Sequence, residues 1–145
     1  AVADRRRTAR MTPERRSFPR EVGSLPAVFD FIDEFFDRAA IGGEHRVPVH
    51  FAVEELFTNL IKYGGGREEI LVELRREPGR LAVSLTDLGG QPFDIRSAPD
   101  ARVDLGPRER TPGGLGIHIL KRMVDGIDYE YVDGRSTTTI FKKLG

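Results

Sequence analysis

The hydrophobic period of this chain changes at three consecutive glycines, Gly64-Gly65-Gly66. Before them, apolar residues recur three and four apart, the spacing of a helix that buries one face. After them, apolar residues alternate or run in short blocks, as strands do. Val28, Phe31, Ile32, Phe35 and Phe36 mark a helix over about residues 25–40, with Ser24 as the expected N-cap, Pro26 inside the first turn and Gly42-Gly43 as its end. Val53, Leu56, Phe57, Leu60 and Ile61 form the stripe of a second helix over about residues 47–63, which the three glycines stop.

Residues 16–19 suit a short edge strand, because Pro19 has no N–H for a central ladder. Residues 70–74 and 81–86 read as two strands around the turn Glu77-Pro78-Gly79-Arg80. Residues 88–113 are rich in Gly, Pro and charge, and loops of that length inside a small domain are usually functional or mobile. A third helix is expected over about 115–124, with Ile117, Leu120 and Val124 on one side. Strands over about 127–132 and 136–142 then flank Asp133-Gly134, a strong hairpin signal. Early helices followed by hairpins predict an α+β domain: a two-layer sandwich with helices on one face of the sheet.

The 145 residues suit one domain, and 39% hydrophobic content suffices for one core. No apolar run reaches the length of a membrane span. The absence of cysteine excludes a disulfide framework, a thiol nucleophile and every cysteine-based metal site, and is compatible with the cytoplasm. Charge balances overall but not locally. Arg5, Arg6, Arg7, Arg10, Arg15, Arg16 and Arg20 face only Asp4 and Glu14 in the first twenty residues. Such an arm can touch nucleic acid or an acidic protein. Residues 1–15 hold no aromatic residue for base stacking, and the favoured reading is a disordered leader, within which Met11 is a candidate start.

Three segments can carry chemistry. In Glu55-Leu56-Phe57-Thr58-Asn59-Leu60-Ile61-Lys62-Tyr63, residues 55, 59 and 62 share a helix face, expected to lie opposite the apolar stripe. An amide oxygen can ligate Mg²⁺, a carboxylate can take a proton from an attacking hydroxyl, and a cation can meet phosphate. In Asp87-Leu88-Gly89-Gly90-Gln91-Pro92-Phe93-Asp94, an Asp at a strand end can accept a hydrogen bond from an exocyclic amine, and the glycines allow a flat ring to approach. Gly113-Gly114-Leu115-Gly116-Ile117-His118 leads into the third helix, where backbone N–H groups can cradle phosphate. Each has a plainer reading, respectively a solvated helix face, a turn and a flexible helix start. The last segment is neither a Walker loop nor a Rossmann fingerprint. His45, His50 and His118 do not have the spacing of a zinc motif.

In this order the segments resemble the N box and the two glycine boxes of the Bergerat-fold (GHKL, histidine-kinase-like) ATPases, over about residues 16–144. The chain most resembles the anti-sigma-factor serine/threonine kinases of that superfamily. The resemblance implies a mixed, mostly antiparallel sheet with three helices on one face and an ATPase domain over 16–145, preceded by the basic, disordered arm over 1–15 that the charge pattern marks. It implies ATP and Mg²⁺ as cofactors, with Glu55 as the catalytic general base and Asn59 as the metal ligand. Lys62 and Tyr63 complete the N box. Asp87 would hold the adenine amine, with Gly89 or Gly90 beside the ring and Phe93 following. Gly113, Gly114, Leu115 and Gly116 would cover the phosphates, and Thr139 would support adenine from its strand. Phe93 falls one residue later than the pattern, and Lys62-Tyr63 is closer to sensor kinases.

The function so implied is a cytoplasmic protein kinase that phosphorylates a serine or threonine of a small antagonist protein and also meets a sigma factor, with the homodimer common in that family and no membrane or nucleic-acid partner expected. The alternative is a module that holds nucleotide and sequesters a sigma factor or another regulator. A detached sensor-kinase catalytic domain is a third reading, weakened because no histidine sits in a phospho-acceptor helix.

Overall fold

The computed structural model describes residues 12–89, 92, 94, 96 and 114–145. Its first strand, β1 (Glu14–Phe18), stops at Pro19 and pairs only with β2 (Ile70–Glu77), so it lies at a sheet edge. Glu14 and Arg15 thus belong to the sheet rather than to the arm. β2 pairs with β3 (Arg80–Leu88), β3 with β5 (Arg135–Lys143), and β5 with β4 (Gly126–Val132) at the other edge. The order is β1-β2-β3-β5-β4, and every one of these pairings is antiparallel. No parallel pair occurs among the described residues. Both expected hairpins form. Asp133 and Gly134 have φ of 52° and 78°, the left-handed pair that a two-residue turn of this twist requires.

Among the described residues three α-helices form one layer: α1 (Leu25–Ala39), α2 (Arg46–Tyr63) and α3 (Gly114–Met123). Ser24 precedes α1 but does not cap it. A 3-10 turn over Val22–Ser24 already holds Ser24 in a helical conformation, and its hydroxyl donates instead to the Pro19 carbonyl at 2.7 Å. All five residues of the α1 stripe are buried, as are Ile117, Leu120 and Val124. They join Leu56, Phe57 and Leu60 from α2 and Val72, Leu74, Val83, Leu85 and Ile140 from the sheet in one core. Phe18, Phe35, Phe36 and Phe57 are fully buried, each contributing about 1.5–3 kcal/mol of hydrophobic stabilisation.

The strand register assigns side chains to faces, since directly paired residues lie on the same side. Val83, Leu85 and Asp87 face the helices, as do Ser136, Thr138 and Ile140 opposite them. Ser84, Thr86, Thr137 and Thr139 face the other way. There they pair as hydroxyls across the strands, Ser84 with Thr139 at 2.7 Å and Thr86 with Thr137 at 2.9 Å.

Candidate functional site

The last two turns of α2 gather the expected residues. Asn59 is only 2% exposed, against the expectation of a solvated face. α3, which enters from far along the chain, packs beside α2. Asn59 Nδ2 donates to the Glu55 carbonyl at 2.6 Å and reaches Glu55 Oε2 at 3.5 Å. Its Oδ1 is buried with no hydrogen-bond partner among the described residues. A buried amide oxygen without a donor is costly unless something electropositive meets it. That is the ligand atom a hard cation takes.

Glu55 is half-buried, one turn before Asn59. Its pKa is raised above the ordinary value of 4.5, chiefly by burial and next by neighbouring Glu54, while Lys62 and Asn59 oppose the rise. Gly116, in the first turn of α3, lies directly on this carboxylate. A Cβ there would overlap it. Lys62 and Tyr63 stand exposed at the end of α2.

Asp87 is fully buried on the helix-facing side of β3. Arg20, just after β1, forms an ion pair with its Oδ1. The same guanidinium donates from Nη1 to the Leu60 carbonyl and from Nε to the Glu68 carbonyl, each at 3.0 Å. Asp87 is thereby tied to the turn of α2 that carries Asn59. Asp87 Oδ2 is buried and has no hydrogen-bond partner among the described residues. Gly64 and Gly66 pass so close that a Cβ on Gly64 would strike Asp87 Oδ2 and the Leu60 carbonyl, and one on Gly66 would strike Asp87 Oδ1 and Arg20.

Glu55, Asn59, Asp87 and Gly116 are therefore drawn to one end of α2. Gly114 opens α3. Gly89 lies two residues beyond Asp87 at a φ of 86°, its N–H donating to the Gly134 carbonyl and its Cα side toward Glu68. Thr139 is not brought to this site. It points to the outer face, where it lines a groove of about 530 Å³ with Ser84, Thr86 and Thr137. The threonine on Asp87's side is Thr138, two residues from Ser136, which pairs with Asp87. Gly90, Phe93, Gly113 and segment 97–113 lie outside the described residues, as does the side chain of Leu115. The site residues that sequence reasoning missed are Arg20, Gly64, Gly66 and Thr138. Only the glycine triplet leaves a visible mark in the sequence, where it reads as a helix stop.

The family model for the histidine kinase-like ATPase domain matches residues 18–143. No curated protein matches the chain. Among solved structures, the RsbU and RsbW domains of Rv1364c from Mycobacterium tuberculosis are similar at a TM-score of 0.64 and 14% identity, over 92% of this chain. This chain spans 33% of that one. The structure of the SiaB–SiaC complex from Pseudomonas aeruginosa matches at 0.56 and 15% identity, over 97% of this chain and 94% of that one. The histidine kinase AdeS of Acinetobacter baumannii matches at 0.53 and 12%, over 92% and 69%. These likenesses describe a shared fold, and the family match covers nearly the whole sheet and all three helices. This chain belongs to the histidine kinase-like ATPase domain family.

Proposed function

We propose that this protein binds ATP with Mg²⁺ at the end of α2 and transfers the γ-phosphoryl group to a serine or threonine of a small partner protein, as an anti-sigma regulatory kinase in the cytoplasm. The observation that carries the reading is the pair of buried acceptor oxygens without partners, Asn59 Oδ1 and Asp87 Oδ2. One suits a metal and the other an exocyclic amine. No group of three or more His, Asp or Glu able to hold a metal occurs among the described residues. Asn59 would then be the protein ligand, with nucleotide phosphates and water supplying the rest, the usual manner for Mg²⁺ at phosphoryl-transfer sites.

The bound Mg·ATP supplies the phosphoryl group and charge neutralisation. The chain's own residues do the remainder. Asp87 accepts from the adenine amine, and Thr138 takes the supporting place expected of Thr139. The glycine-led turn at Gly114 and Gly116 offers backbone N–H groups to phosphate. Glu55, with its pKa raised by burial, accepts the proton of the attacking hydroxyl. The fold neighbours include an RsbW domain and a SiaB–SiaC complex, which supports a protein partner as substrate. A sigma factor as second partner and a homodimer belong to the same proposal.

One observation favours the non-enzymatic alternative, in which the domain holds nucleotide and sequesters a regulator. Gly116 lies against the Glu55 carboxylate and occupies one side of the base. Incubation with labelled ATP and candidate antagonists decides between them. Label on the antagonist supports the kinase. Tight capture of an antagonist with no label in any candidate leaves only the module.

A further inference from the structure

We propose that Arg20 is a positioning residue for base recognition: it pins Asp87 so that Oδ2 presents a fixed acceptor, and so makes the site prefer adenine to a base with a carbonyl at position 6. This rests on the nucleotide-binding reading above and adds a residue that no motif contains.

Arg20 is spent entirely on this task. Its three hydrogen-bonded nitrogens reach the Leu60 carbonyl, the Glu68 carbonyl and Asp87 Oδ1, and its side chain is only 9% exposed. The planar fork can satisfy all three at once, which a lysine ammonium on a flexible stem cannot reproduce. Two of the three partners are main-chain atoms, one at the end of α2 and one ahead of β2. The guanidinium is thus fixed by the fold, and Asp87 is fixed by the guanidinium. The pair also meets the requirement that a buried charge be matched by an opposite one.

The consequence lies on the other oxygen. With Oδ1 taken, Asp87 can turn neither oxygen away, and Oδ2 is left as a buried acceptor with no donor. Adenine carries an amine at position 6 and can donate to it. Hypoxanthine carries a carbonyl oxygen there, so acceptor would face acceptor and Oδ2 would remain unsatisfied. Sites built around such a bond reject the analogue lacking the donor far more strongly than apolar pockets do.

The test compares Mg·ATP with Mg·ITP by calorimetry on the full chain. The wild type is expected to bind ATP more tightly by about tenfold or more. Arg20→Lys keeps the charge, loses the fork and is expected to bring the ATP/ITP ratio toward one, with ITP affinity nearly unchanged. Arg20→Gln keeps one donor nitrogen without charge and is expected to do the same. A merely structural residue would move both nucleotides together. Either variant, folded by circular dichroism and retaining the wild-type ratio, overturns the proposal. So does unfolding of both variants, which would assign Arg20 to the fold alone. Equal binding of ATP and ITP by the wild type removes the inference while leaving nucleotide binding intact. Binding of neither removes the underlying reading as well.

Discussion

Gly116 and Glu55 are in contact across the α2–α3 junction, with the glycine's missing side chain replaced by the carboxylate of Glu55. The obstructed group is the far end of a flexible side chain, so the fold can accommodate a methyl at 116 by turning Glu55 aside. Gly116→Ala is therefore expected to fold with stability within about 1 kcal/mol of wild type. Phosphotransfer should drop by about two to four orders of magnitude, because the base no longer holds its place. Thermal unfolding and single-turnover assays on the same preparation check both halves.

Gly64 makes the opposite case. Its missing Cβ would meet buried Asp87 Oδ2 and the Leu60 main-chain carbonyl, neither of which can yield. Gly64→Ala is expected to destabilise by about 1–3 kcal/mol through overpacking. Chemical denaturation of the two alanine variants side by side should separate them, Gly64→Ala lowered and Gly116→Ala not.

Glu55→Gln should retain Mg·ATP binding and lose phosphotransfer by about two to four orders of magnitude, since the proton moves only during reaction. Equal turnover in variant and wild type would remove Glu55 from the chemistry.

The raised pKa of Glu55 also fixes a pH dependence. A folded value above the unfolded one means that its contribution to stability is fully present below the ordinary carboxylate value of 4.5 and is lost as pH rises through the folded value. Glu55→Gln, which carries no charge at any pH, is expected to unfold at a higher temperature than wild type at neutral pH. The difference should vanish at acidic pH. Lys62 opposes the rise, so Lys62→Ala should move the acid limb of the wild-type rate profile to higher pH. A melting difference independent of pH, or an acid limb unmoved by Lys62→Ala, would contradict this account.

Much of the architecture was legible because it is local. The stripe Val28, Phe31, Ile32, Phe35, Phe36 and the turn Asp133-Gly134 each depend on neighbours a few residues away, and both formed as read. The site was legible only in part, because its assembly is not local. Arg20 meets residues 40, 48 and 67 positions distant, and nothing in its own neighbourhood marks it. Asn59 reads as solvated on a helical wheel, but it is buried in a fold where α3, from more than fifty residues later, packs beside α2. Thr137, Thr138 and Thr139 are indistinguishable as a run. Only the pairing of Asp87 with Ser136 shows that Thr138 shares the site's face and that Thr139 does not.

The central claim is that two unpartnered oxygens, Asn59 Oδ1 and Asp87 Oδ2, await a metal-bound adenine nucleotide. Calorimetric titration of the wild type and Asn59→Ala with ATP, each with and without Mg²⁺, tests it most directly. The account predicts saturable binding by the wild type, strengthened by Mg²⁺, and loss of that strengthening in a folded Asn59→Ala variant. Absence of binding by the wild type at millimolar ATP with Mg²⁺ would contradict it.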